Sequence, residues 1–193
     1  SEMDNVRFDD TYLDIINAAK VAISAGRNST TKEAMLKTVE KMTRGTVGYD
    51  AKRDEFYLKS GGSKQEFNLI AEGIRKMALL WQLIKNGTLE KGSVLFWDEP
   101  EANINPTYIP IIVEILLELQ RTGVQVFVST HDYMLANYFE VKKTEKDSIL
   151  FHSLSHADDM GELQYGRSSR FSDLKENAII SAFNKLLDEI YDL

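Results

Sequence analysis

Two short segments hold the residues best suited to chemistry. Asp98-Glu99-Pro100 ends the apolar run Ser93-Val94-Leu95-Phe96-Trp97, and Ser129-Thr130-His131-Asp132 ends a second run, Val124-Gln125-Val126-Phe127-Val128. Adjacent carboxylates after an apolar run are costly unless a cation or a reacting group uses them. Ligands bind outside the carboxyl ends of parallel strands, so both segments are expected at one crevice. Placed there, Asp98 can hold Mg2+ through oxygen or bound water. Glu99 can orient and deprotonate an attacking water, and His131 can hydrogen-bond a phosphoryl oxygen. Taken singly, each has a plainer reading: helix capping for an acidic pair, a satisfied structural residue for one histidine. It is their placement at successive strand ends that favours the chemical reading.

The elements that position these residues follow from periodicity. Tyr12, Leu13, Ile15, Ile16, Ala19 and Ile23 recur at helical spacing, as do Ala34, Met35, Thr38, Val39 and Met42 after Thr31, with a turn from Gly26 to Thr30 between them. From Thr46 the period changes. Phe56 and Leu58, then Phe67 and Leu69, alternate with polar residues around Ser60-Gly61-Gly62-Ser63, which predicts an antiparallel hairpin. A helix is expected from Ile74 to Lys85, with Ile74, Met77, Ala78, Trp81 and Ile84 inward and Arg75, Lys76, Gln82 and Lys85 outward. Between the two apolar runs, Ile112, Val113, Leu116 and Leu117 mark a crossover helix. Runs that are apolar without a break predict strands buried on both faces, hence a parallel sheet covered by helices with a right-handed crossover. Ile149-Leu150-Phe151 and Leu163-Gln164-Tyr165 flank a polar turn from Ala157 to Gly161, and Leu174 to Leu193 reads as a closing amphipathic helix. The expected fold class is α/β, a parallel sheet with antiparallel edge strands and flanking helices.

With these elements drawn, Val94-Leu95-Phe96-Trp97-Asp98-Glu99-Pro100 resembles the Walker B strand and catalytic glutamate of ATP-binding-cassette ATPases, and Val128-Ser129-Thr130-His131-Asp132 resembles their switch-histidine segment. Glu99-Pro100-Glu101 followed by Asn105-Pro106 is closer to the soluble branch, the AAA-type ATPases related to overcoming-lysogenization-defect nucleases and chromosome-maintenance proteins, than to membrane transporters. Leu69-Ile70-Ala71-Glu72-Gly73-Ile74-Arg75-Lys76 is similar to that branch's signature motif, with Ala71 where serine is more usual. A glycine opening a helix lets the backbone approach a phosphate, and the helix N-terminus offers amide donors. The plainer reading of Gly73 is a hairpin-to-helix junction. Ala102-Asn103-Ile104-Asn105 stands in the place of the D-loop, although Asn105 before Pro106 also fits a helix cap. Pro110 in the next turn predicts that the regular helix starts later than the motif suggests. The resemblance implies a partial P-loop NTPase fold of ABC type, with Asp98 as metal ligand and Glu99 and His131 as catalytic residues. It further implies nucleotide contacts from Ala71, Glu72, Gly73, Asn103 and Asn105, with ATP and Mg2+ as cofactors. In the family the signature motif contacts the γ-phosphate bound by the opposite subunit, so a homodimer of the full-length protein is implied, with DNA contacts through other domains.

One element of that family is missing. Phosphate cradling needs Gly-x-x-x-x-Gly-Lys-Ser/Thr after a strand, where backbone amides wrap the phosphates and the lysine neutralises them. The 193 residues contain no such segment. Gly26-Arg27-Asn28-Ser29-Thr30-Thr31-Lys32-Glu33 lacks the second glycine and the hydroxyl, and Gly61-Gly62-Ser63-Lys64 fails on spacing. The resemblance covers about Gln65 onward. Residues 1–45 are expected to be a helical segment, an insertion or lid, and 46–193 the C-terminal lobe of the ATPase domain. Such a lobe is expected to be inactive alone. Two alternatives stay open: a non-catalytic half-protein completing a site in trans, and a Mg2+-dependent phosphohydrolase using Asp98, Glu99 and Glu101 without a nucleotide loop.

Composition bounds the rest. A net charge of −7, from 30 acidic and 23 basic residues, excludes the chain as a sheath for a phosphate backbone, and Lys142-Lys143 is balanced by Glu145 and Asp147. No cysteine is present, which excludes disulfides and thiolate metal sites. No apolar run reaches the ~20 residues that span a bilayer, so a cytoplasmic protein without membrane contact is expected. Ser1-Glu2 ahead of Met3 reads as an expression remnant, suiting a chain cut from a longer one. His152, His156, Asp158 and Asp159 sit around a polar turn and read as a solvated loop instead of a metal site.

Overall fold

The computed structural model describes residues 10–22, 28–156, 163–175 and 177–191. They form two compact bodies, one from residues 1–95 and 122–125 and the other from 96–121 and 126–193. Ile23, the turn at Gly26, the turn from Ala157 to Gly161 and the last two residues lie outside the described residues.

The first body is built on three helices and a meander. Helix α1 (Asp10–Lys20) precedes α2 (Thr30–Thr43), which Ser29 caps by accepting from the Lys32 N–H at 3.2 Å. Arg44 ends α2 with a φ of 55°, a left-handed C-cap. Strands β1 (Thr46–Asp50), β2 (Glu55–Ser60) and β3 (Ser63–Glu66) form an antiparallel sheet in the order β1-β2-β3, with Val47 opposite Leu58 and Leu58 opposite Gln65. Gly45, just ahead of this sheet, leaves no room for a side chain, because a Cβ there would sit 2.5 Å from the Lys59 carbonyl oxygen. Helix α3 (Glu72–Asn86) then packs Met77, Ala78, Trp81 and Ile84 with the buried Met35, Leu36, Val39 and Met42 of α2. Trp81 donates its indole N–H to Glu40 at 3.0 Å, so the α2–α3 contact carries a satisfied polar group as well.

Three expectations change in this body. Phe67–Leu69 forms a 3-10 turn and not a strand, so the hairpin predicted from Phe67 and Leu69 ends at Glu66, and β1 adds a third strand. Gln82, assigned to the polar side of α3, is buried. Its amide donates to the Ala19 carbonyl at 3.0 Å, and Asn86 donates to the Ala18 carbonyl at 2.8 Å. Both satisfy carbonyls that the end of α1 leaves without an intrahelical donor, a task that periodicity cannot reveal.

Strands β4 (Val94–Asp98) and β5 (Gln125–Ser129) pair and begin in the first body. The Gln125 N–H bonds Ser93 O at 2.9 Å, and the Glu99 N–H bonds Ser129 O at 3.0 Å. Successive bonds advance in the same direction along both strands, which makes the pair parallel. In the second body α4 (Ile109–Arg121) supplies Ile109, Val113 and Leu117 to a core with Leu135 of α5 (Tyr133–Lys142), and Val128 of β5 packs on it. A short 3-10 turn, Pro106–Tyr108, precedes α4, so the regular helix starts at Ile109 with Pro110 in its first turn, where a missing N–H is harmless. Strands β6 (Phe151–His156) and β7 (Leu163–Ser168) form an antiparallel pair, Leu154 opposite Tyr165. The closing helix α6 (Ala178–Tyr191) begins four residues later than predicted, because Leu174 leaves the preceding 3-10 turn in extended backbone, with a ψ of 118°, and Asn177 caps the helix by accepting from the Ile179 N–H at 3.1 Å. Tyr133 stacks on Phe183 of α6 at 3.8 Å, beside a core of Ala136, Phe171 and Leu174.

The expectation of strands buried on both faces is corrected. Helix α4 covers the Val128 side, but Phe96 is 75% exposed and Phe127 46%, their rings stacked at 4.8 Å on the open face. The parallel pair and the α/β class stand.

Candidate functional site

In the second body the ends of β4 and β5 lie side by side. Ser129, the last residue of β5, donates its hydroxyl to Asp98, the last residue of β4. One residue on, the backbone of Glu99 is tied to Ser129 by the 3.0 Å ladder bond. A second side-chain link follows: the Thr130 hydroxyl donates to Glu101. His131 comes next, exposed, between β5 and α5. Parallel pairing therefore brings the acidic pair and the segment bearing the histidine to one edge, as the strand-end argument predicts.

Backbone geometry at this edge is unusual. Glu99 has a φ of 44° and Asn103 a φ of 62°. Asparagine tolerates the left-handed region; a long unbranched carboxylate gains nothing from it, and such strain gathers at functional sites. The turn is fixed on its far side by the Ala102 N–H to Glu99 O at 3.0 Å and the Ile104 N–H to Glu101 O at 3.1 Å, with Pro100 buried beneath. Glu99 is half-buried and Asp98 exposed. Asp98 and the adjoining Ser129 hydroxyl are a hard-oxygen donor set of the kind that Mg2+ takes.

The remaining predicted residues separate. Asn105 commits its side-chain oxygen to capping the 3-10 turn, accepting from the Thr107 N–H at 3.0 Å and the Thr107 hydroxyl at 2.8 Å. Asn103 lies in the same loop, exposed. Ala71, Glu72 and Gly73 belong to the first body, where Ala71 is the N-cap of α3 and makes no side-chain capping bond. Gly73 is buried in the first turn of that helix. The late-hairpin histidine His152 bonds the Tyr165 hydroxyl at 2.7 Å, while Asp158, Asp159 and the His156 side chain lie outside the described residues.

Sequence reasoning gave Ser129 and Thr130 no role, yet they are the links between the two strand ends. The available signal was their position: hydroxyl residues closing one parallel strand beside a neighbour that ends in carboxylates. Asp132 completes the local structure by accepting from the Leu135 N–H at 2.6 Å, the N-cap of α5. Asp132→Ala is expected to destabilise the chain by about 1 kcal/mol, measured by urea denaturation. An unchanged midpoint would show that the cap contributes nothing.

The family described as "AAA domain, putative AbiEii toxin, Type IV TA system" matches residues 14–137, more than half of the chain. Among solved structures, one from work on ATP-driven dimerization and DNA-stimulated activation of SMC ATPases superposes with a TM-score of 0.52 at 10% identity, over 94% of this chain and 96% of that one. An SMC head domain with an extended coiled coil, bound to the C-terminal domain of ScpA from Pyrococcus furiosus, gives 0.51 at 11% identity, over 83% of this chain and 37% of that one. An SMC head bound to the C-winged helix domain of ScpA gives 0.51 at 13%, over 82% and 54%. Identities this low establish a shared fold. This chain spans about a third to a half of those two longer heads. None of the curated proteins matches it in sequence.

Proposed function

Because the chain belongs to this AAA-domain family, we propose that it is the C-terminal lobe of an ATP-hydrolysing domain of the ABC type, acting on ATP held between two subunits. The observation that carries the reading is the laced edge formed by Asp98-Glu99 and Ser129-Thr130-His131. A bound Mg2+ would neutralise phosphate charge, held by Asp98 with the Ser129 hydroxyl beside it. Glu99 orients the attacking water and takes its proton, and the strained, hydrogen-bonded turn holds its backbone for that task. His131 donates to the γ-phosphoryl oxygens as negative charge builds there.

Ala71, Glu72 and Gly73 open α3, whose N-terminus has no side-chain cap; in the proposed dimer these residues meet the phosphates of the nucleotide held by the opposite subunit. Asn103 and Asn105 occupy the loop that crosses the dimer contact. Residues 1–45 act as a helical insertion ahead of this lobe, 46–193. The phosphate loop, absent from these residues, is supplied by the remainder of the full-length protein. A homodimer in the cytoplasm follows, with DNA reached through other domains, as the DNA-stimulated SMC relatives suggest. Among the described residues no helix is long and apolar enough to cross a membrane.

Calorimetry and turnover assays test this directly. The 193-residue chain is expected to bind Mg-ATP with a Kd weaker than about 1 mM, and the protein encoded by the complete gene to hydrolyse it. Micromolar binding by the chain alone would overturn the lobe assignment in favour of a loop-free site. Hydrolysis appearing only when a second, loop-bearing protein is added would instead assign the chain to a site completed in trans.

A further inference from the structure

We infer that Glu101 is a positioning residue for the turn that carries His131, an inference that rests on the hydrolytic reading above. Glu101 and Glu99 share the turn after β4, separated by Pro100. The Glu101 carboxylate accepts the Thr130 hydroxyl proton, and Thr130 Oγ in turn accepts the Asp132 N–H at 2.9 Å. Asp132 then caps α5 through the Leu135 N–H. Thr130 precedes His131 and Asp132 follows it, so this relay pins the histidine's peptide on both sides.

The polarity of the relay depends on the carboxylate. A threonine hydroxyl has one proton and two lone pairs, while an ionised carboxylate only accepts. With Glu101 taking the proton, a lone pair of Thr130 faces the Asp132 amide. Without Glu101 the hydroxyl is free to rotate and compete for another acceptor, and the His131 turn is left with only the Ser129 links to the end of β4, one residue further back. Stability alone is a poor reason for a glutamate here. Its Oε2 is buried and has no hydrogen-bond partner among the described residues, which carries a desolvation penalty. The two residues that the reading places in hydrolysis, Glu99 and His131, are thus registered to each other by a group that touches no reacting atom.

The test uses two measurements. On the 193-residue chain, Glu101→Ala and Thr130→Val should each accelerate hydrogen exchange at the Asp132 and Leu135 amides by about tenfold, while Glu101→Gln, which keeps an acceptor, stays near wild type. In the full-length protein, Glu101→Ala should lower kcat by about 10–100-fold with KM for ATP changed less than about twofold, the cost of a misplaced group, and Glu101→Gln should recover most of the loss. Thr130→Val, nearly isosteric, serves if Glu101→Ala does not fold. Unchanged exchange in both variants overturns the proposal. So does a kcat in Glu101→Gln as low as in Glu101→Ala, which would make the charge itself the agent. Faster amide exchange in a full-length protein that hydrolyses no ATP would uphold the positioning role and discard the hydrolytic reading.

Discussion

Glu99→Gln is expected to lower ATP turnover by the full-length protein by about 10²–10⁴-fold, the range that a positioned general base contributes, without lowering its thermal stability. The two halves of that expectation have separate physical origins. Turnover falls because glutamine is nearly isosteric but cannot take a proton from water. Stability holds because the near-isosteric glutamine keeps the backbone bonds at residue 99, its N–H on Ser129 O and its carbonyl receiving the Ala102 N–H, with buried Pro100 behind it. The φ of 44° is retained in the glutamine variant, so no strain is gained or lost. Compared with Glu99→Ala, which loses the same side-chain contacts, Glu99→Gly should melt no lower. Glycine removes a left-handed penalty of about 1 kcal/mol at a similar entropic cost in the unfolded chain. Glu99→Val, branched at Cβ, should melt lower. Unchanged turnover in Glu99→Gln would remove this residue from the chemistry, and a marked rise in its stability would show that the charge, not the backbone, is the strained feature.

What was legible in the sequence was whatever depends on local period. Ile112, Val113, Leu116 and Leu117 repeat at helical spacing and are all buried in α4, and the strand ends could be predicted to meet because parallel pairing follows from a strand-helix-strand order. The misreadings come from features that period does not encode. Val94-Leu95-Phe96-Trp97 is apolar at every position, so the sequence cannot show that alternate residues face open space; only the fold reveals that α4 covers one side and leaves Phe96 and Phe127 stacked on the other. Gln82 is polar and fell on the polar side by type, whereas its burial follows from the carbonyls at the end of α1 that need a donor. At the candidate site, the residue types Asp98, Glu99 and His131 stood out because carboxylates and imidazole are chemically conspicuous. Ser129 and Thr130, which join the strand ends, did not, because a hydroxyl's role depends on the neighbour it faces, and Glu101 stood out only as a hydrolytic carboxylate, not as the acceptor of the Thr130 hydroxyl.

Asp147→Asn is expected to destabilise the chain by about 2–3 kcal/mol at neutral pH, at or just below the range for breaking a buried ion pair, and the difference should shrink in acid. The Asp147 side chain is 0% exposed and that of Arg121 27%, so one partner retains solvent contact and the lower part of the range applies. Asp147 accepts from Arg121 Nε at 2.7 Å and from a terminal guanidinium nitrogen at 2.6 Å, and also from the Thr144 N–H at 2.7 Å and the Thr144 hydroxyl at 3.0 Å. These bonds tie the end of α4 to the turn leading into β6, and Arg121 is further engaged by Glu118. Three of the four donors converge on one carboxylate oxygen and Arg121 Nε meets the other, so the NH2 group of an asparagine faces an Arg121 donor in either orientation, and the two-point pair is broken and not merely weakened. The Arg121 guanidinium holds the Asp147 carboxyl well below the usual carboxylate range, outweighing the upward push of burial, with the Thr144 bonds adding to the lowering. A carboxyl depressed in the folded state contributes its stability above the unfolded value, about 3.9, and loses it as pH falls from there through the folded value. The wild-type and variant stability curves should accordingly run parallel from pH 7 to about pH 5 and converge below that. Urea denaturation across this range decides the matter. A gap that stays constant down to pH 2 would mean that the variant's cost comes from packing and not from the lost carboxylate, and a double-mutant cycle with Arg121→Ala should then show no coupling, where the ion-pair account expects about 2 kcal/mol.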